Sequence, residues 1–115
     1  MSPPRDLRAA KVVLAELDPP ARPDSASAVV QVLLSDGREF SLLAATPLWF
    51  RRSLDDLGLD FYYGPAVLFL ERVELSAAKT AVNEMLRGGD QWLCRYDTPR
   101  MTLPKVLSQF KERHP

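Results

Sequence analysis

The chain has 115 residues, of which 46% are hydrophobic and 26% charged, and its fifteen basic residues balance fifteen acidic ones. A chain of this length buries one core without disulfides or metals, so a loose N-terminal arm over residues 1–10 and one domain over 11–115 are expected. The charge balance argues against a general polyanion binder, whose affinity comes from a local excess of Lys and Arg over phosphates.

In chain order, residues 11–17 read as a first strand, because Val12, Val13 and Leu14 suit a sheet and the prolines after Asp18 end it. Residues 18–27, with three prolines and two serines, read as a loop. Two β-prone runs, 28–34 and 39–45, flank Ser35-Asp36-Gly37-Arg38 and predict a hairpin. With Asp36-Gly37 as a two-residue loop, Leu33 faces Phe40, Gln31 faces Leu42 and Val29 faces Ala44. The other side then carries Leu34 with Glu39, Val32 with Ser41 and Val30 with Leu43. Both faces are then mixed but largely apolar and want cover, from helices and a long loop or from a second copy of the chain, so a homodimer is expected.

Thr46-Pro47 supplies an N-cap and a first helical residue, Gly58 a stop, and Phe50, Leu54 and Leu57 share one face of the helix between them. After Gly64-Pro65, the apolar run 66–73 predicts a central strand buried on both faces. The next helix begins at Leu75-Ser76 with Ser76 as N-cap, buries Ala78, Ala81, Val82, Met85 and Leu86 at helical spacing, and ends at Gly88-Gly89. Residues 91–96 read as a strand with Trp92, Cys94 and Tyr96 on one face, completing a βαβ unit with the central strand. Thr102 opens a last helix with the stripe Leu103, Val106, Leu107 and Phe110. The expected fold is therefore α+β, with a mixed, largely antiparallel sheet of about five strands covered by two or three helices in the order β-β-β-α-β-α-β-α.

The N-terminus carries no apolar signal core, and no apolar run approaches the ~20 residues that span a bilayer, so a cytoplasmic protein is expected. Arg exceeds Lys, and Ala, Pro and Leu are abundant, which points to a GC-rich bacterial genome. One cysteine and one histidine exclude an intrachain disulfide and the usual Cys/His zinc sites. Cys94 is expected to be buried core filler, and His114, beside the C-terminus, to fray. Asp55, Asp56 and Asp60 lack the ligand pattern of a calcium loop, and Gly88-Gly89 follows a helix instead of opening one, so neither a metal nor a phosphate cofactor is expected.

Two signals point to a partner. Residues 36–74 hold four basic and seven acidic side chains, and residues 91–115 five basic and two acidic ones. Trp49, Tyr62 and Tyr63, with Arg51 and Arg52, are types enriched at binding hot spots. The reading that follows is a non-enzymatic protein–protein interaction module, an adaptor, regulator or immunity-like protein. The alternatives are an enzyme or ligand-binding domain with a pocket at Tyr62, Tyr63 and Glu71, or a nucleic-acid binder that gathers Arg95, Arg100, Lys105, Lys111 and Arg113 on one face.

Overall fold

The computed structural model describes residues 9–15, 24–98 and 101–114. The chain is α+β, with four strands and four helices among the described residues: β1 (Ala9–Ala15), β2 (Ser27–Leu34), β3 (Glu39–Ala45), α1 (Pro47–Leu57), β4 (Val67–Phe69), α2 (Leu75–Leu86), α3 (Gln91–Tyr96) and α4 (Leu103–Arg113). The sheet runs β1-β2-β3-β4, antiparallel except for β3 with β4. Ala9 and Ala10 belong to β1, so the strand begins inside the segment expected to be an arm; residues 1–8 and most of the proline loop lie outside the described residues.

The hairpin forms with a loop one residue longer than expected. Leu34 N–H donates to the Arg38 carbonyl at 2.8 Å and Gly37 N–H to the Leu34 carbonyl at 3.0 Å, leaving Ser35-Asp36-Gly37 as a three-residue loop. Gly37 takes the left-handed position of that loop, with φ 93°. The pairing shifts by one, to Val32–Phe40, Val30–Leu42 and Ala28–Ala44 on one face, and to Val29–Leu43 and Gln31–Ser41 on the other. A one-residue slip changes which residues share a face, and here it sorts them. Val30, Val32, Leu34, Phe40, Leu42 and Ala44 form one apolar face with Val12 and with Ala78, Val82, Leu86 and Leu93 from α2 and α3. The opposite face is apolar only at one end, where Val29, Leu43 and Ala45 meet Leu103, Val106 and Leu107 of α4 and the half-buried face of α1. At its other end Lys11, Val13, Gln31, Leu33, Glu39 and Ser41 line an open concavity of about 370 Å³. Helices cover one face of the sheet and one end of the other, where helices on one side and a long loop or a second copy of the chain on the other were expected.

Two expected strands are corrected. The run over 66–73 is not a central strand: only Val67–Phe69 pairs, at the sheet's edge, and Phe69 is half exposed. Pro65 has no N–H to offer a ladder, and the chain bends at Glu71 and Arg72, which leaves room for three paired residues. The parallel crossover is therefore β3-α1-β4. Residues 91–96 are the short helix α3, which buries Leu93 and turns Trp92 and Cys94 outward. Where a fifth strand would have lain, a single antiparallel bridge joins Asp97 to Leu42 beyond the end of β4, with Thr98 N–H donating to the Ser41 carbonyl at 2.8 Å.

The signals that bound α1 act as expected. Thr46 is fully buried and caps α1, its Oγ1 accepting from Trp49 N–H at 3.3 Å and from Ala26 N–H at 3.2 Å, which ties the helix entry to the start of β2. Gly58 ends α1 in the left-handed conformation, and Leu59 N–H closes back on the Leu54 carbonyl at 2.8 Å. The N-cap of α2 is Glu74 rather than Ser76, with no side-chain bond.

A candidate binding surface on the α1 and α4 layer

The link from α1 to β4 crosses the last turns of α4, and its three successive aromatics meet there. Leu59 is buried and anchors the link. Tyr62 is half-buried between Phe50 of α1 and Phe110 of α4, edge-on to both at centroid distances of 5.7 and 5.3 Å, and its hydroxyl donates to the Pro65 carbonyl at 2.9 Å. Burial pushes the Tyr62 phenol pKa up. Phe61 and Tyr63 point outward, 56% and 63% exposed, with rings parallel to within 4°. Phe110 stands edge-on to both, at 5.9 and 5.1 Å. Phe69 is edge-on to Phe50 at 5.3 Å and 50% exposed. Edge-to-face pairs of this kind contribute about 0.5–1.5 kcal/mol beyond their buried area, so the exposed rings are braced from behind.

His114 completes the cluster. Its ring stacks on Phe110 at 4.2 Å, Nδ1 lies 2.9 Å from the Phe110 carbonyl oxygen, and Nε2 lies 2.9 Å from the Tyr63 hydroxyl. The expected fraying is corrected: both ring nitrogens are engaged. Phe69, Phe110 and His114 were missed as members of this surface. The i,i+4 spacing of Phe110 and His114 on one helical face was the available signal.

Trp49, Arg51 and Arg52 lie on the same layer but not in the ring cluster. Trp49 is half-buried and, with Ser53, Asp56, Leu57, Pro104, Leu107 and Ser108, lines a groove of about 220 Å³ between α1 and α4. Arg51 and Arg52 are exposed. No family model, curated protein or solved structure matches this chain.

The other sequence-based candidates do not converge. Arg95 lies on α3 and packs over the Trp92 ring at 4.9 Å, on the opposite layer from α4, which carries Lys105, Lys111 and Arg113. On α4 itself, about 100° of turn per residue places 105 and 113 within about 80° of each other and turns 111 about 120° or more away from both, and Arg100 lies outside the described residues. Glu71 is exposed, and neither described concavity is lined by Tyr62, Tyr63 or Glu71. Cys94 is exposed, correcting its expected burial. Among the described residues no three His, Cys, Asp or Glu side chains gather to hold a metal ion, and no helix is long and apolar enough to cross a membrane.

Proposed function

We propose that this chain is a non-catalytic protein–protein interaction module that binds its partner through the aromatic surface of Phe61, Tyr63 and Phe69. The observation that carries the reading is their combination of exposure and bracing: three large apolar rings are at least half exposed, and each rests on a ring of the α1 and α4 layer. Rings held in place lose little entropy on binding, and aromatic side chains dominate interface energetics. Tyr62 supplies a supporting ring between Phe50 and Phe110. Helices α2 and α3 cover one face of the hairpin and α1 and α4 one end of the other, and a homodimeric form of this reading uses the aromatic surface.

The test is a photo-crosslinking amino acid placed singly at positions 61, 63 and 69, and at the exposed α2 positions Lys79 and Asn83, in the native host. The expected result is one common adduct from the three aromatic positions and none from α2. Equal adducts from both sets, or none from the aromatic set, would refute the reading.

A further inference from the structure

We propose that His114 sets the direction of the hydrogen bond at Tyr63, so that the exposed phenol meets a partner as an acceptor when the imidazole is neutral and as a donor when it is protonated. The functional part of this inference rests on residues 61–63 being the recognition segment; the hydrogen-bond geometry stands without it.

The Phe110 carbonyl oxygen can only accept, so Nδ1, 2.9 Å away, carries a proton in either state of the ring. A neutral imidazole has one N–H, which leaves Nε2 bare, and the Tyr63 hydroxyl 2.9 Å away must donate to it. The phenolic oxygen then offers only lone pairs to the outside. Protonation places an N–H on Nε2, the same contact runs from His114 to Tyr63, and the phenolic hydrogen is released toward solvent or a partner. Neither state loses a hydrogen bond, and no ring has to leave its stack.

The position suits both states. The His114 N–H goes to the Lys111 carbonyl at 3.1 Å, so the imidazole serves the Phe110 carbonyl in the last turn of α4. The charged and titratable groups on the two packed elements are Lys105, Lys111, Glu112 and Arg113 on α4 and Asp60, Tyr62 and Tyr63 on the link. Of these, only Tyr63 hydrogen-bonds the ring.

The chain has one histidine, so its ring nitrogens can be followed without ambiguity by 15N NMR of the intact protein across a pH titration. The expected neutral form has the proton on Nδ1 and none on Nε2, and the Tyr63 ring signals step with the His114 midpoint. A proton on Nε2 in the neutral form, a tautomer mixture, or Tyr63 signals that ignore the His114 titration would overturn the inference without touching the proposed interaction. In the host, crosslinking yield at position 61 should change across that midpoint and lose the change in Tyr63→Phe. An unchanged yield would overturn the functional half. Loss of capture at 61, 63 and 69 alike would instead count against the interaction reading, leaving the tautomer result as it stands.

Discussion

The indole of Trp92 lies so close over Gly88 that a Cβ at position 88 would come within 2.5 Å of Nε1. This approach closes the corner between α2 and α3. In Gly88→Ala the indole must move, and because Trp92 is 45% exposed it can swing into solvent. The expected outcome is a red-shifted, more quenchable Trp92 emission, read in a Trp49→Phe background, with a stability change within about 1 kcal/mol. An unchanged spectrum would show that the corner is not closed by this contact.

Thr46 joins three elements through one oxygen. Thr46→Ala removes the acceptor for the Ala26 and Trp49 N–H groups in a fully buried place and should cost about 1–3 kcal/mol. Thr46→Ser keeps the oxygen and should recover most of the loss in urea denaturation. Equal losses in the two variants would place the effect in the methyl group rather than the cap.

Cys94 faces solvent on α3. A disulfide reagent should modify it in the native protein at a rate close to that in the unfolded chain, and Cys94→Ser should change stability by no more than about 0.5 kcal/mol. Strong protection in the native state would contradict the orientation of α3.

The two adjacent tyrosines should separate in a stability assay. Tyr62, packed between Phe50 and Phe110, should cost about 2–3 kcal/mol on truncation to Ala, below the range for fully buried aromatics because it is only half-buried. Tyr63→Ala and Phe61→Ala, more than half exposed, should each cost less, about 0.5–1.5 kcal/mol. Similar losses at 62 and 63 would remove the distinction between brace and display on which the proposed surface depends.

Tyr62 also has an alkaline signature. Its pKa is raised by burial, so the folded state holds the phenolic proton more tightly than the unfolded chain does. The resulting stabilisation is complete below the ordinary tyrosine value of about 10 and is lost as pH rises through the folded-state value. Among the three tyrosines, the last to ionise in an absorbance titration should disappear in Tyr62→Phe. A late step that survives the substitution would mean that another tyrosine is the shielded one.

Much of the architecture follows from signals that act over a few residues. Thr46-Pro47 and Gly58 bound α1, Leu103, Val106, Leu107 and Phe110 make the buried stripe of α4, and Asp36-Gly37 marks the hairpin, because caps, helical spacing and turn residues work locally. The α+β class was legible for the same reason. The hairpin's register was not, since Asp-Gly suits both a two- and a three-residue loop, and the choice settles only when one face is packed apolar against α2 and α3. Residues 91–96 alternate like a strand, yet six residues are too few for periodicity to decide. Folding places Leu93 in the core and Trp92 on Gly88, and gives the remaining edge of β3 to Asp97 and Thr98. The candidate surface divides in the same way: the sequence by itself named Tyr62 and Tyr63 as aromatic, but which of them braces and which is displayed was decided by Phe110 and His114, some fifty residues away in the chain.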